Sequence, residues 1–490
     1  MSKAFAVLKN LSDKVMITFV LAIFFFTLLG FLVTITTYMK SYSNIVSWLE
    51  WIWVLPAILL FYLCIQLGKF FQRKSELHLV IFAVTAATIC YLILNLSYNT
   101  LPVSDYKDIW TGANEMAAGT FTGGHDPSNY FYYYNWQVGI AAFESIIIRI
   151  FGSHFWVLKI LNIIILNLIS WGIYRIAKKK TGREAACITY MITIFYLPYL
   201  LSVPQFSNQH LTLLLLLVAF HWIEKNKFAF SALTGLLLAV LNILRPVAIV
   251  VVLTILCYWL YVFFRDRAFK KWILHSALLA LTFFIAVSGF DKLFVKIDYA
   301  DAPVSQPKMP YFKYVKGLGG DQGFDKLAKL SYDYETFNQI QKEQLNSLIT
   351  EQPVSTVIFV INKMCRYWGL FDYQFEHTFN HDPDYYYQYP VKALYMISWF
   401  QYMLCILLAL IGFRLWKQKH DMDVYVIFFI GYNLVYLLIE AFSSYRFIVY
   451  PFIIIMSGYA IHELRLYEIN RIVSIVKMKS KKPFARTRSL

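Results

Sequence analysis

The residues best suited to chemistry lie in a polar break at 98–135, between two apolar stretches of the chain. Asp105 and Asp108 stand three residues apart within it, and the basic residue Lys107 lies between them. A carboxylate accepts a proton from an attacking hydroxyl, and two carboxylates together hold a metal ion. Acids beside hydrocarbon are costly to bury, and they are also common in solvated loops. Their position relative to the membrane therefore decides what they do.

The composition is that of a polytopic membrane protein. Hydrophobic residues make up 59% of the 490 residues and charged residues only 15%. The six cysteines are scattered through apolar stretches and show neither a disulfide framework nor metal-ligand spacing. The net charge of +16 comes from basic residues in short loops and in the C-terminal tail, as the positive-inside rule expects. Because no folded basic domain carries this charge, nucleic acid is excluded as a partner.

The apolar runs predict an all-α membrane protein with about twelve transmembrane helices and both termini in the cytoplasm. The predicted spans are 15–38, 48–68, 78–97, 156–177, 184–202, 209–224, 228–244, 247–264, 272–295, 391–413, 423–441 and 447–463. The stretch 136–151 is too short to span and carries Glu144 and Arg149, so we predict an amphipathic helix on the outer surface. This choice places the basic loop 177–183 inside and the turn 203–210 outside.

The chain is predicted to have five parts. They are a two-span addition at 1–77, a transmembrane core at 78–295 with its first external loop at 98–155, an extracellular region with a small subdomain at 296–390, C-terminal spans at 391–465 and a basic cytoplasmic tail at 466–490. Within the extracellular region, helix 354–371 is predicted to dip into the membrane from the outer face rather than to span it.

On this topology, the charges that interrupt apolar sequence collect at the outer face. Arg245, Arg446 with its neighbour Tyr445, Lys363 and Arg366 all lie there. Arginine is planar, always charged and bidentate, so Arg245 and Arg446 are candidates for binding a lipid phosphate, with Tyr445 beside them. Each arginine could instead mark a helix end from which its side chain snorkels. Lys363 and Arg366 are favoured as headgroup anchors, with a direct accessory role as the alternative.

The remaining polar candidates are weaker. His125 and Asp126 are accessory candidates in the first external loop. His377 and His381 are spaced for a metal on a helix, but no third ligand motif accompanies them, so a divalent metal is not indicated and no cofactor is certain. The aromatic residues at 385–389 fit an interfacial belt better than a platform for sugar rings.

Several segments together resemble a known family. They are SDYKDIWTGANEMAAG (104–119), YFYYYNWQVGIAAFESIIIRIFG (130–152), FWVLKILNIIILNLISWGIYRIAKKKTGREAA (155–186), LRPVAIV (244–250) and SSYRFIVYPFIII (443–455). Their pattern and order resemble the GT-C superfamily of integral-membrane glycosyltransferases, most closely the bacterial branch related to protein O-mannosyltransferases and aminoarabinose transferases. The resemblance covers roughly 78–465.

The resemblance implies a GT-C fold, Asp105 as catalytic base and a sugar carried on undecaprenyl or dolichyl phosphate. Many relatives have a paired acid here, whereas this chain has Tyr106 next to Asp105 and offers Asp108 as a second acid. The expected reaction is inverting transfer of a sugar to a hydroxyl of an extracellular acceptor such as a cell-wall polysaccharide, teichoic acid, lipid or protein. The expected location is a bacterial plasma membrane, with the active site on the extracellular face. A transporter or flippase of lipid-linked sugar and a polysaccharide polymerase remain alternatives.

Overall fold

The computed structural model describes residues 7, 14–15, 18–30, 32, 52–98, 100–266, 269–321, 323–369, 378, 389–419 and 424–480. Throughout these residues the regular structure is helical, and none of them lies in a β-strand. The predicted all-α fold class is therefore confirmed. Parts of the predicted spans 15–38 and 48–68, and all of 385–388, lie outside the described residues, as do His377 and His381.

The first half of the chain builds most of the apolar bundle. Its helices are α1 (Thr18–Gly30), α2 (Val54–Phe71), α3 (Glu76–Ser97), α4 (Asp105–Ala118), α5 (Tyr130–Tyr133), α6 (Val138–Phe151), α7 (Phe155–Thr181), α8 (Arg183–Ile194), α9 (Leu197–Leu200), α10 (Asn208–Ile223), α11 (Phe228–Leu244), α12 (Ala248–Asp266) and α13 (Phe269–Lys296). Local sequence sets several of these boundaries; for example, the Ser75 hydroxyl accepts a hydrogen bond from the His78 N–H and caps the start of α3.

The second half adds a polar region and the last long helices. These are α14 (Phe312–Leu318), α15 (Phe324–Lys329), α16 (Tyr334–Thr350), α17 (Pro353–Trp368), α18 (Tyr389–Lys419), α19 (Val424–Leu438) and α20 (Tyr450–Ser480). A 3-10 helix, Ser443–Ile448, connects α19 to α20. The helix α20 continues well beyond 463, where the predicted span ends, into the segment predicted as a tail.

Within the described part of the chain, ten apolar helices account for most of the predicted spans. Five are long and apolar enough to cross a membrane: Val54–Phe71, Glu76–Ser97, Phe155–Thr181, Lys270–Lys296 and Pro390–Trp416. Five shorter apolar helices are Thr18–Gly30, Asn208–Ile223, Phe228–Leu244, Ala248–Phe264 and Val424–Leu438. The chain is therefore a multi-pass membrane protein.

The predicted span 184–202 is wrong in its extent. Helix α8 ends at Ile194, the short helix α9 follows, and the chain then turns without regular structure up to α10. The turn at 203–210, predicted to be external, is covered by protein: Gln205 is 0% exposed. Its backbone stays hydrogen-bonded, because Asn162 Nδ2 donates to Val203 O at 2.7 Å and to Gln205 O at 3.2 Å. Irregular backbone is tolerated in a membrane bundle where such partners satisfy it.

The predicted amphipathic helix at 136–151 is present as α6, a separate helix that ends at Gly152 before α7 begins. It packs against α4 on one side, while Ile146 and Ile150 remain exposed. Gly139 allows α6 to approach the end of α11 closely, because a Cβ there would overlap the carbonyl group of Ile243. This contact brings the segment before α6 beside the residue that follows α11.

The two long polar regions of the sequence meet in the fold. A small hydrophobic cluster of Met309, Phe312, Leu327 and Phe337 joins α14, α15 and α16. Tyr133 and Tyr134 of the first loop pack against this cluster. Asn135 strengthens the contact through its Nδ2, which donates to Pro303 O at 3.2 Å and to Gln306 O at 2.7 Å. The first polar loop and the region after α13 therefore form one polar layer.

Helix α17 is strongly two-sided. It begins at Pro353, as predicted, and leaves Val354, Val357 and Ile358 exposed, while Lys363 and Trp368 are buried against the rest of the protein. A helix with one apolar exposed face and one packed face suits a position in the membrane interface. The sequence prediction that this helix dips rather than spans stays a prediction.

The topology predicts which introduced cysteines an impermeant reagent reaches. Cysteines in place of Thr122 and Glu335, both exposed in the polar layer, should react with a membrane-impermeant maleimide on intact cells. Cysteines in place of Lys74 and Lys225, exposed at the opposite helix ends, should react only after permeabilisation. The unsubstituted chain gives the background, because Cys257 is exposed. Labelling at 225 on intact cells would contradict the predicted orientation.

Candidate active site

Asp105 is the first residue of α4, and its geometry is set by the residue before it. Ser104 has a positive φ of 52°, which is uncommon for a residue with a side chain, and its carbonyl accepts from the Lys107 N–H at 2.9 Å. This turn starts the helix and places both Asp105 and Asp108 in its first turn. Acids at a helix N-terminus also stabilise the helix dipole, so position alone does not make them catalytic.

Asp105 and Asp108 differ in the charged groups that surround them. Asp105 is exposed at the protein surface, and the surrounding protein gives its carboxyl group only partial burial. This burial raises the pKa of Asp105, and the carboxylates of Asp108 and Glu440 raise it further, against the opposing effects of Lys316 and Lys313. For Asp108, burial raises the pKa while Lys107 lowers it. Asp105 therefore faces a charged cluster assembled from distant parts of the sequence.

Glu440, two residues beyond the end of α19, is the acid of this cluster that the sequence analysis missed. Its N–H donates to Lys313 O at 3.0 Å, and its carboxylate forms an ion pair with the Lys316 ammonium. Lys316 is also 4.9 Å from the ring centroid of Phe442. The backbone and side chains of α14 are thus joined to the segment that follows α19.

Lys313 of α14 is a second basic residue of the cluster. Its side chain is half-buried, and its ammonium lies 4.4 Å from the centroid of the Trp136 ring. Burial lowers the pKa of Lys313 to about 8, with Arg245 and Lys316 lowering it and Glu440 and Asp105 raising it. The pKa of Lys313 is therefore influenced by Asp105, Glu440 and Arg245 together, which assigns these charged residues to one site.

Arg245, the residue after α11, lowers the pKa of Lys313 and so belongs to the same cluster. Its Nη1 donates to Asn208 Oδ1 at 2.9 Å, and its guanidinium carbon lies 4.8 Å from the Tyr445 ring centroid. Its Nε is buried without a hydrogen-bond partner among the described residues. A buried cationic donor that lacks an acceptor is costly, and an anionic ligand would relieve that cost. Tyr445, predicted beside the phosphate, contacts Arg245.

Arg446 lies in different surroundings from Arg245. It is 1% exposed, its Nε donates to Ser443 O at 3.0 Å, and its Nη1 donates to Gly369 O. Its guanidinium carbon is 4.7 Å from the ring centroid of Tyr402. These contacts favour a structural role that holds the 3-10 helix against α17 and α18. Its predicted role in phosphate binding stays a prediction.

Lys363 and Arg366 differ although they share α17. The prediction of Lys363 as a headgroup anchor is wrong, because its ammonium is buried and donates to Gly317 O, Leu437 O and Ile439 O. Burial lowers the pKa of Lys363 to about 8, and Glu440 raises it. Arg366 is exposed, as expected of an anchor.

His125 and Asp126 lie in the exposed part of the first loop. His125 Nε2 is 3.1 Å from both the carbonyl oxygen and a carboxylate oxygen of Asp298. Asp126 accepts from the Ser128 N–H at 2.9 Å and from its hydroxyl at 2.7 Å, and these bonds lower the pKa of Asp126. Both residues therefore shape the loop. Among the described residues no three His, Cys, Asp or Glu side chains converge as metal ligands.

The missed residues left signals in the sequence. Glu440 is an acid directly after the apolar run of α19, and an ionisable residue at such a place is a functional candidate by default. Lys313 and Lys316 stand three apart and so share one face of a helix. Nothing in their spacing, however, indicates that they meet Asp105, which is about two hundred residues earlier in the chain.

The contacts predict opposite stability effects for the two arginines. Arg446→Met should lower the free energy of unfolding by about 1–3 kcal/mol, because it leaves two buried carbonyls without their charged donor. Arg245→Met should cost less, because it also removes the unpaired buried Nε. Thermal unfolding of the purified variants in detergent measures the difference. Equal losses would contradict the structural role given to Arg446.

Comparisons with known proteins support the class of the chain. Residues 138–290 match the sequence profile of the family described as dolichyl-phosphate-mannose-protein mannosyltransferase. This segment contains Asn208 and Arg245 but ends before Lys313 and begins after Asp105. No curated protein sequence matches the chain.

The solved structures that match the chain include one of low overall similarity. It is ArnT from Cupriavidus metallidurans bound to undecaprenyl phosphate, with 12% identity over 79% of this chain and 78% of that chain and a TM-score of 0.38. The family match is the stronger finding, and it confirms the resemblance drawn from the sequence: the chain is similar to the membrane glycosyltransferases of the GT-C superfamily.

Proposed function

We propose that the chain transfers a sugar from a polyprenyl-phosphate donor to a hydroxyl of an extracellular acceptor, with inversion at the anomeric carbon. The observation that carries this proposal is that the charge of Lys313 is influenced by both Asp105 and Arg245, whose Nε is buried without a hydrogen-bond partner among the described residues. The family match adds support, because its description names a lipid-phosphate sugar as donor.

Asp105 serves as the general base. The acceptor oxygen attacks the anomeric carbon from the face opposite the phosphate, and the hydroxyl proton passes to the Asp105 carboxylate. The bond between the anomeric carbon and the phosphate oxygen breaks, and that oxygen leaves with the bonding electrons. The raised pKa of Asp105 makes it a better proton acceptor than an ordinary aspartate, provided that the pH keeps it ionised.

Arg245 and Lys313 bind the leaving phosphate. The free Nε of Arg245 offers a donor, and the nearby Lys313 ammonium adds a positive charge. The phosphate gains negative charge as the bond breaks, so these cations stabilise the transition state more than the ground state. Asn208 and Tyr445 hold the Arg245 guanidinium in place.

Asp108 and Glu440 are the two candidates for a second acid. Both raise the pKa of Asp105, but Glu440 is paired with Lys316, whereas Asp108 is exposed. Asp108 has the larger effect on that pKa, and Glu440, which its ion pair fixes within the site, tunes Asp105 together with it.

The two acids of α4 should respond differently to amide substitution. Asp105→Asn keeps the shape of the side chain but removes the proton acceptor, so transfer should fall by roughly 10²–10⁴-fold. Asp108→Asn should leave most of the rate. The measurement is transfer of labelled sugar from synthetic undecaprenyl-phosphate sugar by purified protein in detergent, with mass spectrometry of the product.

The same assay separates the rival functions. A flippase gives no product in detergent, and near-wild-type transfer by Asp105→Asn would refute the base assignment. A metal bridged by both acids would make both variants inactive and the wild type sensitive to chelator. A polymerase would extend its product repeatedly, whereas the proposed enzyme adds one sugar.

The rate should depend on pH in a bell shape. Transfer is lost as the pH falls through the pKa of Asp105, which lies above the ordinary value of about 4. In Glu440→Gln the acid limb should move to lower pH, because the neighbouring negative charge that raises this pKa is gone. On the alkaline side, kcat/KM should fall through about 8 as Lys313 loses its proton.

Lys313→Arg is the matched control for the alkaline limb, because arginine stays protonated. In that variant the alkaline limb should move to higher pH. An unchanged alkaline limb would remove Lys313 from phosphate binding, and an unchanged acid limb in Glu440→Gln would remove Glu440 from the tuning of Asp105.

A further inference from the structure

The buried ammonium of Lys363 donates three hydrogen bonds, and the proposed reaction does not explain them. It donates to Gly317 O at 2.6 Å, to Ile439 O at 2.9 Å and to Leu437 O at 3.1 Å. A lysine has three donors and no acceptor, so these bonds use its whole capacity. All three acceptors are backbone carbonyls, and none of them carries a compensating charge.

The three carbonyls belong to the two segments that carry the ion pair beside Asp105. Gly317 directly follows Lys316, and Ile439 directly precedes Glu440. Leu437 is in the last turn of α19, where carbonyls lack helical partners and a cation is favoured. One ammonium therefore ties the end of α19 to α14 at the position next to each charged residue.

The close packing of the two segments makes this tie specific. A Cβ at Gly317 would overlap the backbone of Leu438 and Ile439, so only glycine allows α14 to approach the chain this closely. The Glu440 N–H bond to Lys313 O, at 3.0 Å, lies on the same seam. The side chain of Lys363 reaches the seam from α17, a third element.

We propose that Lys363 is a positioning residue that holds the Lys316–Glu440 ion pair, and with it Lys313, in register beside Asp105. The inference rests on the proposed function for its effect on catalysis, but the positioning itself is a local structural property. Lys363 does not contact the reacting groups, so it acts through Glu440 and α14.

A double-mutant cycle tests the coupling. Lys363→Met should lower kcat by about 10²-fold, as expected when a site shifts by about 1 Å. Glu440→Gln also lowers the rate, and the two changes together should cost clearly less than the sum of their separate effects in free energy. The control is Lys342→Met, a lysine exposed on α16, which should keep wild-type turnover. Additive effects would overturn the proposal.

Hydrogen exchange gives a readout that does not depend on turnover. In Lys363→Met, peptides that cover 313–320 and 436–441 should exchange faster, and peptides from α3 should be unchanged. Acceleration throughout the protein would indicate general destabilisation, and no change at the seam would show that Lys363 does not hold it; either result refutes the proposal.

Two failures need separate controls: a Lys363→Met variant that does not fold, and a wild-type protein that transfers no sugar. If Lys363→Met does not fold, Lys363→Arg keeps the charge but cannot direct three donors to one point, so the same peptides should exchange faster in that variant. If the wild-type protein transfers no sugar, the proposed function fails, and the exchange data still decide whether Lys363 holds the Lys316–Glu440 pair.

Discussion

The cost of removing charge from water determines how this chain is built around its polar layer. Three cations at or beside the site have partners that offset this cost: Lys316 pairs with Glu440, Arg245 donates to Asn208, and Lys363 binds three carbonyls. The same rule holds at the other end of the bundle, where Lys179 and Lys180 both lie 2.6 Å from carboxylate oxygens of Glu224. The site can exist only because several elements supply these partners together.

Because its charges depend on partners from several elements, the site is held rigidly and is still able to bind a ligand. Most polar atoms around it are paired, so the walls are fixed before a ligand arrives, which is the condition for electrostatic stabilisation of a transition state. The buried Nε of Arg245 remains without an acceptor among the described residues, and Asp105 remains exposed at the surface. A phosphate and an acceptor hydroxyl are the groups that would complete them.

The two arginines show that the hydrogen-bond partners of a buried residue decide its role. Arg245 and Arg446 both follow or precede an apolar run and look equivalent in the sequence. In the fold, Arg446 donates hydrogen bonds to the carbonyl oxygens of Ser443 and Gly369, whereas the Nε of Arg245 has no acceptor among the described residues. Stacking on tyrosine is common to both, so ring contacts alone do not distinguish a binding arginine from a structural one.

The sequence by itself determined the membrane class, the all-helical fold, most of the helices and the place of Asp105 in the first polar loop. Those features follow from local composition and periodicity, which a single segment carries within itself. Only the tertiary structure decided that 203–210 is buried, that Lys363 is a junction rather than an anchor, and that Glu440 and Lys313 join Asp105. Each of these depends on contacts between segments far apart in the chain, and a buried charge is stable only where such contacts supply its partners.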